Sequence, residues 1–172
     1  MATPNTDHEG GCSCGHVRYR ILAEPLIVHC CHCRWCQRQT GAAFAVNALF
    51  EAEHVELVAG DVLEIVMPSP SGRGQKIARC PKCQVAVWSN YYMGGIKDGI
   101  RFLRVGTLDE PDRLPPDVHI FTTSKQPWLT LPSEAHVVDE FYDFATTWSQ
   151  ANQERRNALL ATATRDPFEQ QL

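Results

Sequence analysis

The sequence has no run approaching the roughly 20 apolar residues that a membrane-spanning helix requires. It also has no run of lysine and arginine: 16 basic side chains face 20 acidic ones, for a formal net charge of −4. A nucleic-acid partner wants a basic stripe, so nucleic acid is not the expected ligand. The opening residues MATPNTDHEGG carry no basic start followed by an apolar core, so no secretory signal is expected. The expected compartment is therefore the cytoplasm, where thiols stay reduced. No internal repeat is evident. The 172 residues suit a single domain (1–172) able to bury a sizeable core.

Cysteine, by contrast, is plentiful and clustered. Eight occur, as Cys12-Ser-Cys14, as Cys30-Cys31-His-Cys33 with Cys36, and as Cys80-Pro-Lys-Cys83. Cys30, Cys31 and Cys33 are too crowded for ordinary disulfide geometry, and a reducing compartment favours metal over disulfide. Thiols two or three residues apart can converge on one zinc ion at about 2.3 Å. Cys12 and Cys14 supply two ligands, as do Cys80 and Cys83, and neither pair closes a tetrahedral site alone. Together they make a Cys₄ site that ties distant segments, which predicts a structural zinc. Cys31, Cys33 and Cys36 remain for a second ion, and three protein ligands leave a vacant position where chemistry can occur. Cys30 is a candidate fourth thiolate that would close that site and make the metal inert.

Short strand-like runs dominate the first three quarters of the chain. His16–Leu22 alternates polar and apolar residues, and Phe44–Phe50, Val55–Val58 and Val62–Met67 follow suit. Ala59-Gly-Asp61 reads as a turn, and Met67–Gly74 as a loop. Gln75–Arg79, Val85–Ser89, Ile100–Val105 and His119–Phe121 complete the expected strands, with Met93-Gly-Gly95 as a turn. From Tyr142 to Thr164 there is no proline or glycine. Phe144, Trp148, Ala151 and Arg155 recur at helical spacing, which predicts one amphipathic helix ended by Asp166-Pro167. Its apolar stripe is read as packing or a homodimer contact. The expected fold is mainly β with a C-terminal helix.

Three ordered motifs carry a family resemblance: Gly11-Cys-Ser-Cys14-Gly-His-Val-Arg18, Cys31-His-Cys33-Arg-Trp-Cys36-Gln-Arg-Gln-Thr-Gly41-Ala, and Cys80-Pro-Lys-Cys83. They resemble the glutathione-dependent formaldehyde-activating family, also called the centromere protein V family. Downstream, Val105-Gly-Thr-Leu-Asp109, Pro116-Asp-Val-His119-Ile-Phe and Ser124-Lys-Gln-Pro-Trp128 extend the resemblance over about residues 10–130. It implies an Mss4-like β fold stapled by two zinc ions, one structural on Cys12, Cys14, Cys80 and Cys83. The other is catalytic, on Cys31, Cys33 and Cys36. It also implies a carbon–sulfur lyase resembling S-hydroxymethylglutathione synthase, which forms or cleaves an adduct of glutathione, or a related thiol, with formaldehyde or another small aldehyde. An open three-thiolate zinc suits delivery of a substrate thiolate to the aldehyde carbon. Polarisation of the aldehyde is less suited, because three thiolates already donate to the metal. One departure stands out: Gln84 follows the last cysteine where family members carry glycine, a modest backbone strain.

Further candidates each have a plainer reading. His32, between two ligands, can hold a proton or bond to sulfur, or simply face solvent. Arg34 and Arg38 can clamp a glutathione carboxylate, or lie free on a loop. His119 and Trp128 match family positions and can line the pocket, or serve as packing. Asn47 and Thr40 are further candidates. His54-Val-Glu56 with Cys80-Pro-Lys-Cys83 superficially matches a zinc deaminase, but Arg79 replaces the proline and six cysteines stay unexplained. The main rival function is a non-catalytic zinc module that binds protein or nucleic acid.

Overall fold

A computed structural model describes residues 8–92 and 95–163. Its strands are β1 (His8–Gly11), β2 (Arg18–Ile21), β3 (Ile27–Cys31), β4 (Ala45–Glu51), β5 (Val55–Ala59), β6 (Leu63–Met67), β7 (Gln75–Arg79), β8 (Ala86–Tyr91), β9 (Ile100–Arg104) and β10 (Val118–Ile120). Three α-helices accompany them: α1 (Arg34–Thr40), α2 (Phe144–Thr147) and α3 (Gln150–Thr162). The fold is mainly β with a C-terminal helix, as expected. A three-stranded sheet runs β1-β2-β5, and a seven-stranded sheet runs β10-β3-β4-β9-β8-β7-β6. All pairings are antiparallel except β10 with β3, which is parallel.

The smaller sheet obeys the alternation of its sequence. Tyr19 and Ile21 of β2 are buried, while Arg18 and Arg20 face outward to Asp109 (2.8 Å) and Glu9 (3.0 Å). The turn into β6 needs a glycine: Gly60 has φ +73°, and a Cβ there would lie 2.0 Å from the His16 carbonyl oxygen. One core, including Tyr19, Phe50, Trp88 and Leu103, also takes in Cys12 and Cys80.

β1, β3 and α1 are additions to the expected elements. All five residues of β3 are buried. A strand covered on both faces shows no alternation, and His29-Cys30-Cys31 does not read as an apolar run. The helix α1 starts because Cys33 caps it, its sulfur accepting the Cys36 N–H at 3.3 Å. It stops at Gly41 (φ +67°), whose N–H bonds to the Gln37 carbonyl at 2.8 Å.

The single helix expected over 142–164 is broken in two. Ser149 caps α3, accepting from the Asn152 N–H at 3.2 Å, and Trp148 sits extended between the helices with its ring buried. Phe144, Trp148 and Leu159 pack in or against the second core, as the stripe's packing role requires, though no residue of α3 itself is buried. Arg155 adds a polar dock, with Nε and Nη2 each 2.6 Å from the buried Glu51 carboxylate. Asn152 adds a bond to the Leu26 carbonyl at 2.8 Å. Thr164, Asp166-Pro167 and Met93-Gly94 of the expected helix end and turn lie outside the described residues. A second core gathers Ile27, Leu49, Ile100, Ile120, Tyr142 and Trp148 around Cys31. The segment from Phe141 to Trp148 thereby covers the part of the large sheet that carries the central cysteines.

Candidate metal centres and the adjoining cavity

Cys12, Cys14, Cys80 and Cys83 come together from two similar loops, with all four sulfurs within 4.8 Å of one another. The loop at Cys12 closes through Gly15 N–H to the Cys12 carbonyl (3.1 Å), and that at Cys80 through Gln84 N–H to the Cys80 carbonyl (3.0 Å). Gly15 (φ +76°) and Gln84 (φ +63°) hold the same left-handed conformation, so Gln84 occupies a glycine's position. Backbone N–H groups point at sulfur: Val17 to Cys12 at 3.3 Å, Lys82 and Cys83 to Cys80 at 3.4 and 3.5 Å. The Cys12–Cys14 and Cys14–Cys80 sulfurs are 3.5 and 3.7 Å apart. Four thiolates around zinc at about 2.3 Å would sit about 3.8 Å apart, so the set fits a tetrahedral zinc. Burial pushes the Cys12 thiol up, but the Val17 N–H and the Cys14 and Cys80 thiols outweigh it and bring it to about 6.

Cys31, Cys33 and Cys36 form a second group with sulfurs within 4.8 Å. Cys31 ends β3, Cys33 caps α1 and Cys36 lies one turn along it, so a strand end and a helix start aim three thiols at one point. Gln37 anchors this turn: its Nε2 donates to the His32 carbonyl (2.7 Å) and the Ser124 carbonyl (3.0 Å). Hydrogen bonds from Cys31 and then Cys36 hold the Cys33 thiol below its ordinary range, and hydrogen bonds to Cys33 and then Cys36, with burial, push Cys31 above it. Arg104 is the facing cation; burial lowers its pKa while the charge of Cys36, Cys31 and Cys33 opposes that. Its Nη1 donates to Asn47 Oδ1 at 2.5 Å. Sequence reasoning passed over Arg104, although it directly precedes the Val105–Asp109 motif.

These three cysteines line a cavity of about 240 Å³. Asn47, Arg104, Gln75 and Ser89 supply polar wall, and most of the rest is aliphatic or aromatic. His29 also lines it; its Nε2 is 2.5 Å from the Tyr142 hydroxyl, which accepts the Trp148 indole N–H at 2.9 Å. Burial lowers the His29 pKa to about 3, so the ring that meets the Tyr142 hydroxyl is neutral.

Several candidates sit elsewhere. Cys30 projects from the other face of β3 and does not close the Cys31 site. It lies 3.5 Å from His32 Nε2, which is 3.0 Å from His119 Nδ1. These three are themselves a group that could hold a metal ion, and sequence reasoning did not foresee it. His32 is fully buried rather than solvent-facing, and burial, then the charges of His119 and Lys125, lower its pKa to about 4. His119 is not among the cavity residues. Trp128 is 70% exposed, ruling out a core role, and with Arg34 and Arg38 it lines a separate open depression on the far side of α1. Thr40 bonds to the Cys36 carbonyl at 2.8 Å and Asn47 lines the cavity. His54 pairs with Glu51 at 3.2 Å and joins no metal-type group among the described residues, so the deaminase pattern is not assembled. No helix among the described residues is long and apolar enough to cross a membrane.

The family model described as glutathione-dependent formaldehyde-activating enzyme matches residues 7–124. Among curated proteins, none matches the chain. A crystal structure of a Rhodobacter sphaeroides protein is similar at a TM-score of 0.44 and 19% identity, over 59% of this chain and 87% of that one.

Proposed function

Because the chain belongs to the glutathione-dependent formaldehyde-activating enzyme family, we propose that it is a zinc-dependent carbon–sulfur lyase acting on a thiol–aldehyde adduct. Glutathione is the expected thiol and formaldehyde or another small aldehyde its partner. The observation that carries this reading is the opening of Cys31, Cys33 and Cys36, three ligands and not four, onto a cavity. Zinc bound there would hold a substrate thiol as its thiolate at neutral pH. Cys12, Cys14, Cys80 and Cys83 hold the structural ion in this account, leaving the reactive set free to exchange its fourth partner.

The chain's own residues do the rest. Cys31, Cys33 and Cys36 fix where the substrate sulfur sits, and Arg104 balances the negative charge that collects there. Asn47 holds the guanidinium in place through its side-chain oxygen. The apolar walls exclude water, which strengthens every charge interaction inside. The sulfur bonds to the carbonyl carbon, the C=O π pair moves to oxygen, and that oxygen takes a proton. Cleavage is the reverse. The thiols work only when reduced, so the compartment that goes with this reading is the cytoplasm.

Exchange between glutathione, formaldehyde and S-hydroxymethylglutathione, followed by NMR line broadening, tests the proposal. Wild type accelerates the exchange over the uncatalysed reaction, and Cys33→Ser returns it to the background rate. An unchanged rate with zinc-loaded wild type refutes the enzyme reading and favours the zinc-stapled binding module.

A further inference from the structure

Formaldehyde has two heavy atoms, yet the cavity beside the three cysteines measures about 240 Å³. An engineered apolar cavity of about 150 Å³ is enough to hold benzene. Leu49, Ile100 and Phe102 form its sheet side, and Phe141, Phe144 and Trp148 the opposing wall. That wall is a connected aromatic cluster, with ring centres 5.8 Å apart for Phe141–Phe144 and 5.2 Å for Phe144–Trp148. It comes from beyond residue 124, where the family match ends. The covering segment is tied down by the Arg155–Glu51 pair and by the Trp148–Tyr142–His29 bonds. The wall is thus a built surface outside the family-matched region.

We infer that this cavity receives an aromatic or similarly bulky apolar group carried on the aldehyde carbon, so that the substrate class is aryl or arylalkyl aldehydes. The inference rests on the thiol–aldehyde reading above and deepens it. With the thiol's sulfur and the carbonyl carbon both at the cysteine end, desolvation keeps the charged remainder of glutathione out of the apolar end, which leaves that end to the aldehyde's substituent. The reaction needs no oxidant: the thiol sulfur gains a bond to carbon, the C=O π bond opens, and the oxygen receives the proton that the thiol gives up. A small polar aldehyde would leave the aromatic wall against unfilled or water-filled space, which apolar walls disfavour. A phenyl group fills it and gains its transfer free energy.

Rates of adduct formation with glutathione and formaldehyde, acetaldehyde or phenylacetaldehyde test this directly. We expect kcat/KM to rise roughly 100-fold from acetaldehyde to phenylacetaldehyde, given the cost of leaving apolar surface unburied. Ile96→Trp and Phe144→Trp, in separate segments of the lining, narrow the cavity and cut that rise below tenfold. Calorimetric titration of 2-phenylethanol, which has no carbonyl, reads the cavity apart from the chemistry: wild type and Cys33→Ala both bind it, and Ile96→Trp binds it at least tenfold more weakly. A preference for formaldehyde together with no binding of 2-phenylethanol overturns the inference. Binding of 2-phenylethanol without adduct formation from any aldehyde overturns the thiol–aldehyde reading and leaves the apolar ligand class standing.

Discussion

Replacing Arg155 with alanine is a demanding test of how the cavity wall is held. Glu51 is 5% exposed, and two Arg155 nitrogens approach its carboxylate at 2.6 Å in a fork geometry. In Arg155→Ala the carboxylate stays buried with His54, at 3.2 Å, as its remaining charged-type partner among the described residues. Removing one member of a buried pair costs roughly 3–5 kcal/mol. The Arg155 side chain is 28% exposed, so solvent screening reduces this to about 2–3 kcal/mol. Urea unfolding of the zinc-loaded protein at pH 7 measures it. The pH dependence gives a second check. Burial raises the Glu51 pKa, but the Arg155 hydrogen bonds outweigh it and hold the carboxyl below its usual range. A depressed folded pKa means the stabilisation is full above the unfolded carboxylate value, about 4.3. It is lost as pH falls through the lower folded value. The gap between wild type and Arg155→Ala is therefore flat from pH 6 to 8 and closes below about pH 4.3. A difference under about 0.5 kcal/mol at pH 7, the size of an ordinary surface change, would refute the account of how α3 is docked.

Other substitutions probe separate parts of the argument. Tyr142→Phe removes the hydroxyl between His29 and Trp148 and leaves two buried ring nitrogens unpaired; it is expected to cost about 1–3 kcal/mol in urea unfolding. Gln84→Gly relieves the left-handed conformation at φ +63° and is expected to stabilise the zinc-loaded protein by roughly 1 kcal/mol, seen as a higher Tm. Gln37→Ala unties α1 from the His32 and Ser124 carbonyls. It is expected to weaken metal at the Cys31 group by roughly tenfold or more in competition with a chelator, as loss of an outer-shell partner does elsewhere.

The cysteine groups were legible in the sequence because ligand counting is independent of tertiary structure. Two pairs and one triple admit few partitions, and the structure assembles those same sets. The strands from Phe44 to Val105 were readable to within a residue or two because each is a short run of apolar and β-branched residues set off by turn signals, even where, as in β4, burial on both faces removes the alternation. β3 was not, since burial on both faces erases alternation and two of its five residues are cysteine. The fate of Cys30 followed from that: once β3 is a strand, adjacent cysteines point to opposite faces, and Cys30 joins His32 and His119 instead. The C-terminal region misled for a related reason. Phe144 and Trp148 at helical spacing look like one stripe, but Ser149 offers a cap that ends one helix and begins another, and the aromatics go to the cavity. Arg104 and Gln37 carry no motif of their own; only the fold brings them to the cysteines.

The central claim is that the chain holds one closed and one open zinc, and metal counting in two variants tests it most directly. Zinc per protein is to be measured by mass spectrometry of dialysed wild type, Cys33→Ala and Cys83→Ala, with circular dichroism of each. The account predicts two ions in wild type, one in Cys33→Ala with the fold retained, and a marked loss of thermal stability in Cys83→Ala. A wild type that binds a single ion, or a Cys33→Ala variant that keeps its full complement, would contradict it.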